Sequence, residues 1–316
     1  MINNKRIQVT GSESMIGTQI CNSLKLRECI VDKVLHEECD LLEKQQIINR
    51  IANFKPDYLI HAAGFNGGIS FNKEFPATIY YRTVMMGLNV LESCIDTSVQ
   101  KTVSILASCS YPDIKSKEFK ETDIWNGKSN NTVECHGMAK RTLLDFSRQI
   151  SKQHDLYCVC CVLNNSFGPQ DSYHPQKTKV IGALIRRFVE AEYNRKKEVV
   201  CWGTGSPLRE FIYCKDSGEA IVQTLERYND TELPLNISSG QEISIKELSE
   251  MIAEEVGYTG KIVWDTSKPD GQMRKKLNIS RMYEYLDVPI TSLRYGLKET
   301  IKWYKNNKEE ADAKTF

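Results

Sequence analysis

The sequence predicts an α/β protein, a doubly wound parallel sheet followed by a smaller C-terminal α/β lobe. Three observations carry that expectation. Short apolar runs alternate with stretches of helical periodicity through the first 165 or so residues, as successive βαβ units do. A glycine-bearing turn, VTGSESMIG, stands between the first apolar run and the first helical stretch. Beyond it the alternation persists, until after residue 165 it loosens into loops, a long helix and a strand–loop–strand–helix run.

Taken in order, KRIQVTG is the first strand and MIGTQICNSLKL, apolar at helical spacing, the first helix. ECIVDKVLH and DYLIHAA are the next strands, with EKQQIINRIANF as the helix between them. TVMMGLNVLESCIDT is a helix, KTVSILAS a strand, AKRTLLDFSRQISKQH an amphipathic helix and LYCVCCVLN a buried strand. FGPQDSYHP then reads as a loop and KVIGALIRRFVEAEYNRK as a helix. VVCWGTGSPLREFIYCKDSGEAIVQTLERY supplies the strand–loop–strand–helix run. In SIKELSEMIAEEVG, Ser244 with Glu247 three residues on is a capping-box pattern before a helix.

Composition excludes several function classes. The 42 Lys and Arg against 41 Asp and Glu leave a net charge of +1, so no global field points to nucleic acid or an anionic membrane. No apolar stretch approaches the roughly 20 residues of a membrane helix. The first residues enter a strand pattern without a signal-peptide core, which makes the cytoplasm the default location. The eleven cysteines lack ligand spacing; Cys158, Cys160 and Cys161 alternate in a strand pattern, so reduced thiols are expected and no metal.

The turn after the first strand is where a dinucleotide pyrophosphate would rest on a helix N-terminus. Gly11 and Gly17 are present, but the middle glycine of the usual series is Ser14. By itself such a two-glycine match is also read as a plain tight turn; the strand–turn–helix context favours a nucleotide cofactor. Asp40, after the second strand, is placed to accept a bond from an adenine amino group.

HAAGFNGG (61–68), ASCSYP (107–112), NNSFGP (164–169), VIGALIRRF (180–188), WGTGSPLREF (202–211) and SKPDGQMRKKL (267–277) resemble, in register, the GDP-L-fucose synthases, which are extended short-chain dehydrogenases/reductases. The resemblance implies a homodimer with an NADP-binding Rossmann domain over 1–165, joined by about 212–235, and a GDP-sugar lobe over 166–316. It implies cofactor contacts at Gly11, Ser14, Met15, Ile16, Gly17, His36, Asp40, Leu41, Ala62, Ala63 and Lys140. It implies GDP-sugar contacts at Asn165, Val180, Leu184, Arg187, Trp202, Arg209 and Arg274. Arginines suit a diphosphate because they bond it bidentately, and Trp202 offers a stackable face. NADP users of the family carry arginines where this chain has Glu13 and His36, so NAD stays open beside NADP.

The catalytic positions depart from the family pattern. Its reductases use a Ser or Thr, a Tyr and a Lys, the last two as Tyr-x-x-x-Lys; its epimerisation pair is a Cys and a His. Here Lys140 and Cys109 are present, but Ala107 replaces the Ser, His136 the Tyr and Lys179 the epimerisation His. His136 can give a proton as imidazolium or a weaker N–H bond as neutral imidazole. Like-charge repulsion from Lys140 opposes the first. Ser108 is the nearest stand-in for the missing hydroxyl, and Cys109 with Lys179 could exchange a proton next to a ketone. Cys109 as an inert thiol and Lys179 as a solvated cation are the bland alternatives. The expectation is a C4 reductase of a GDP-4-keto-sugar, deoxy or heptose, that need not epimerise. A GDP-sugar epimerase using Cys109 and Lys179, and a GDP-sugar-binding protein impaired in catalysis, remain alternatives.

Overall fold

The computed structural model describes residues 2–114, 118–175, 177–268 and 270–313. The first half runs β1 (Arg6–Thr10), α1 (Met15–Leu26), β2 (Ile30–Val34), α2 (Lys44–Phe54), β3 (Tyr58–His61), α3 (Ile69–Glu74), α4 (Pro76–Glu92) and β4 (Lys101–Ala107). A 3-10 turn at Ser108–Ser110, β5 (Glu118–Phe119), α5 (Glu134–Gln153), β6 (Tyr157–Leu163) and β7 (Asn165–Phe167) follow. Then come α6 (Val180–Tyr193), β8 (Glu198–Trp202), β9 (Leu208–Tyr213), α7 (Cys214–Arg227), β10 (Leu235–Ile237) and β11 (Glu242–Ser244). The chain closes with α8 (Ile245–Val256), β12 (Lys261–Asp265), β13 (Arg274–Leu277), α9 (Ser280–Tyr285), α10 (Leu293–Asn306) and α11 (Lys308–Ala313).

The large sheet is parallel, in the order β10-β6-β4-β3-β1-β2. It is buried on both faces, and β6 shows how. Val159 and Cys161 pack with Ile20, Leu24, Ile221 and Leu225 of α1 and α7 on one side. Cys158, Cys160 and Val162 pack with Ile51, Leu91, Leu143 and Leu144 of α2, α4 and α5 on the other. The period-two alternation of a strand sends its thiols both ways into apolar cores, and all eleven cysteines are free.

Strand order reverses between β1 and β3, which opens a crevice at their carboxyl ends, the usual ligand position in an open α/β sheet. A second sheet, β11-β9-β13-β5 with β7 on β9, and the β8–β12 pair lie beyond it. Their core gathers around α6, α8 and α10, with Tyr173, Phe188, Ile252 and Tyr304 buried. The capping box before α8 forms as expected, Glu247 N–H donating to Ser244 Oγ.

Three boundaries differ from the sequence expectation. α4 starts at Pro76, seven residues before Thr83, because Pro at the first helical position needs no backbone donor there. α5 starts at Glu134, five residues before Ala139, which puts both His136 and Lys140 on the helix. Asn165–Phe167 is a short strand paired to β9 rather than the run-in to a loop.

Candidate active site

At the end of β1, Gly11 takes φ +67°, and a Cβ there would meet Ala63 N at 2.6 Å. A Cβ on Gly17 would stand 2.0 Å from Gly11 O. Both positions therefore demand glycine on steric grounds. Ser14, the departure from the three-glycine series, is the N-cap of α1: its Oγ accepts from Gly17 N–H at 3.0 Å and donates to Gly11 O at 2.8 Å. The first-turn N–H groups of Met15 and Ile16 have no intrahelical acceptor, the general condition for anion binding at a helix N-terminus. Thus the residues present fit a dinucleotide pyrophosphate.

The adenine side is held by a residue that the sequence reading passed over. Asn89 of α4, buried, donates to the carbonyls of Leu41 and Leu42 at 3.1 Å each. Asp40 accepts from Leu42 N–H at 3.0 Å, and His36 and Glu13 are exposed. Ala62 and Ala63 follow β3, Ala62 N–H bonding Thr10 O at 3.2 Å. Beside them His61 Nδ1 shares a 2.8 Å hydrogen bond with Thr10 Oγ1. Burial, then Lys140, pushes its pKa down to about 3, so it is neutral.

His136 and Lys140 are both buried on one face of α5. Lys140 Nζ donates to Ile105 O of β4 at 2.8 Å, which uses one of the ammonium's three donors. Burial lowers its pKa to about 8. Burial, followed by Lys140, Lys179 and Lys275, holds His136 well below the usual histidine range. Of the two roles open in the sequence, N–H donation is the one the surroundings permit. His136 Nδ1 is sealed from solvent with no hydrogen-bond partner among the described residues. An unfilled lone pair is tolerated there better than an orphaned N–H, so the proton belongs on Nε2.

The 3-10 turn after β4 presents Ser108, buried, and Cys109, half-buried. Gly137 lets α5 approach this turn: a Cβ there would be 2.4 Å from Cys109 O. Burial raises the Cys109 thiol pKa, opposed by Lys275, Lys140 and Lys179. Lys179 is exposed just before α6, within electrostatic reach of Cys109 and His136.

On the far side, Val180, Leu184 and Arg187 lie one turn apart along one face of α6. Arg187 stacks 5.4 Å over the ring of Trp202, which is 56% exposed and so available as a platform. Asn165 Nδ2 donates to Glu210 O at 2.9 Å. Arg209 bonds its neighbour's carbonyl, Leu208 O, at 2.7 Å, and burial lowers its pKa, an effect that Asp270 opposes.

Arg274, expected to contact the GDP-sugar, is engaged with a carboxylate of β11. It forms a two-point bridge to Glu242, Nε to Oε1 at 2.7 Å and Nη2 to Oε2 at 2.6 Å. Lys276 approaches the same carboxylate at 4.0 Å. Lys275, between them on β13, takes the other face and stands opposite Arg209 in register. Burial lowers its pKa, with Cys109, Arg209, Asp113 and Lys179 in reach. Sequence reasoning missed it, although the alternation Arg-Lys-Lys beside Glu242 is a readable signal. None of Lys140, Lys275 and Arg209 forms an ion pair with a carboxylate of the described residues. Three desolvated cations without a direct ion pair among the described residues, Asp270 and Asp113 acting on Arg209 and Lys275 only at longer range, suit the cleft to a multiply charged anion.

A model of the NAD dependent epimerase/dehydratase family matches residues 7–238. "Probable GDP-L-fucose synthase 1" of Oryza sativa subsp. japonica is 36% identical over 306 residues, covering 96% of this chain and 92% of that protein. Among solved structures, a GDP-L-fucose synthetase from Naegleria fowleri bound to NADP superposes with a TM-score of 0.89 at 25% identity, covering 99% of this chain and 97% of that one. A GDP-6-OMe-4-keto-L-xylo-heptose reductase from C. jejuni gives a TM-score of 0.89 at 25% identity, covering 97% and 99%.

Proposed function

The chain belongs to the NAD dependent epimerase/dehydratase family, among the GDP-L-fucose synthases, and from that premise we propose that it reduces C4 of a GDP-4-keto-sugar with NADPH. The observation that carries this reading is the convergence of Arg209, Lys275 and Lys140, none in a direct ion pair among the described residues, on the cleft that also holds His136 and Cys109. A GDP-sugar brings two phosphate charges to the Arg209 side and a ketone to the Lys140 side.

NADPH supplies the hydride when bound, and Gly11, Met15, Ile16, Gly17, Asp40, Leu41, Ala62, Ala63 and Lys140 would hold it. NADP is the cofactor in the Naegleria structure. His36 is the exposed residue suited to a 2′-phosphate, which Glu13 opposes, so NAD is the second choice of cofactor.

Reduction at C4 would leave negative charge on the ketone oxygen, which this chain's own residues must meet. His136 Nε2–H donates a hydrogen bond to that oxygen. Lys140, one turn away and protonated below about pH 8, supplies positive charge and the proton that finally neutralises it. The hydroxyl of Ser108 stands at the strand end where Ala107 offers none. Neutral imidazole is a weaker acid than the family's tyrosine arrangement, and the buried cations offset that weakness.

A second reading draws on the half-buried Cys109 beside lysines: proton exchange next to the ketone, with Cys109 and Lys179 as acid and base. One assay separates the two. The protein is incubated with GDP-4-keto-6-deoxymannose and NADPH in heavy water, following nicotinamide oxidation and deuterium in the sugar. Oxidation without deuterium at C3 or C5 is the expected result. Deuterium without oxidation would select the epimerase, and GDP-sugar binding with neither signal would leave a binding protein.

We further place the enzyme in the cytoplasm, where eleven free thiols stay reduced. It works there as a homodimer. Tyr81, Val84, Met85 and Leu88 form an i, i+3, i+4, i+7 apolar stripe on α4 that is half-buried to exposed, with Tyr81 60% exposed. Tyr80 bonds Thr142 of α5 at 3.3 Å, so the two helices present one surface. Light scattering should give twice the chain mass for the native protein, and a Tyr81→Asp, Met85→Glu double variant should run as a monomer. A native monomer at micromolar concentration would remove the proposal.

A further inference from the structure

Arg141 follows Lys140 on α5 and plays no part in the chemistry above, yet it is 5% exposed. Its Nε donates to Ser110 O at 2.6 Å and its Nη1 to Gly127 O at 2.8 Å. Nη2 is sealed from solvent without a hydrogen-bond partner, and no carboxylate of the described residues pairs with the guanidinium. Burying a cation against two neutral carbonyls, with the Trp125 ring 6.0 Å away at the edge of cation–π range, is unfavourable compared with an apolar side chain of similar volume. The fold therefore maintains a charge that its stability does not call for. What the guanidinium touches explains it. One carbonyl belongs to the turn that carries Ser108 and Cys109, the other to the loop after Trp125. Gly137, four residues earlier on the same helix face, is the point where Cys109 O and Ser129 Oγ come against α5.

We propose that Arg141 is a positioning residue: its planar fork clamps the Cys109 turn and the Gly127 loop onto α5, and so sets Cys109 and Ser108 against His136 and Lys140. The planar guanidinium can serve two carbonyls on different segments at once. A lysine ammonium, a point charge on a flexible stem, reaches one of them at a time. Cys109 is otherwise faced by Lys140 of the same helix, Lys179 before α6 and Lys275 of β13. The clamp holds the thiol within that ring of charge.

The test uses the full-length chain as wild type, Arg141→Lys and Arg141→Ala. Hydrogen–deuterium exchange should speed up about tenfold in the segments at 108–111 and 126–131 of both variants, with the β1–α1 segment unchanged. With substrate, kcat should fall about tenfold or more while KM and NADPH affinity stay within about threefold, because small misplacements near the reacting atoms act on the transition state. Millimolar guanidinium ion should restore part of the rate in Arg141→Ala but none in Arg141→Lys. A simple loss of stability would lower the melting temperature without that split or rescue. Should Arg141→Ala not fold, Arg141→Lys carries the comparison. Unchanged exchange at 108–111 in Arg141→Lys overturns the clamp, and local loosening with unchanged kcat overturns its catalytic consequence. The kinetic arm rests on the reductase reading, whereas the exchange arm needs no turnover; a wild type that turns over nothing would refute the former alone.

Discussion

Replacing Lys140 with methionine should lower the rate of GDP-4-keto-sugar reduction about a thousandfold, the scale of a lost proton donor together with lost electrostatic stabilisation. Methionine keeps the volume of the stem and removes the ammonium that bonds Ile105 O. GDP-sugar affinity, measured by calorimetry, should stay within about threefold, since the phosphates are met by Arg209 on another segment. The same group sets the pH dependence. Burial brings the Lys140 pKa down to about 8, and the reaction needs the protonated form. The rate kcat/KM is therefore high below about pH 8 and falls with unit slope as pH rises through it. His136 adds no inflection near pH 6 to 7, because burial and three lysines keep it neutral throughout that range. A profile that instead falls as pH rises through the ordinary histidine value, well below pH 8, would show that His136 carries the proton as imidazolium.

Arg209→Gln should weaken GDP binding about 30- to 150-fold, the loss expected when charge-assisted bonds worth about 2 to 3 kcal/mol are removed. Two features of Arg209 make this the larger effect among the substrate arginines. Its guanidinium is desolvated and its bond is to a backbone carbonyl, so the charge is already paid for in burial and waits for an anion. Arg274, by contrast, spends its fork on Glu242. Arg274→Gln should therefore act mainly through β13, loosening Lys275, and cost GDP affinity less than Arg209→Gln. Equal losses in titration calorimetry would show that Arg274 leaves Glu242 to meet the ligand.

How much of this was legible depended on the range of the interaction. The start of α1 at Met15 and the capping box at Ser244 and Glu247 were readable because a cap involves residues three apart. The buried strand of Cys158, Cys160 and Cys161 was readable because alternation is a local pattern. The early start of α4 at Pro76 was missed, since PATIYYR lacks the apolar spacing of the helix it begins. Asn89 and Lys275 were missed for a different reason. Asn89 acts on carbonyls more than forty residues away, and Lys275 is distinguished from its basic neighbours by which face of a four-residue strand meets Glu242.

The sequence by itself determined the doubly wound order of elements, the glycine positions of the phosphate turn, and the four-residue spacing of His136 and Lys140. Each rests on steric or periodic rules that act within a few residues. Only the tertiary structure decided what that pair can do. It brought Lys179 and Lys275 from distant segments to the same cleft as His136, sealed Nδ1 from water, and lowered Lys140 by burial. A protonation state is the sum of desolvation and of charges converging from the whole fold, and no local pattern in a chain carries that sum.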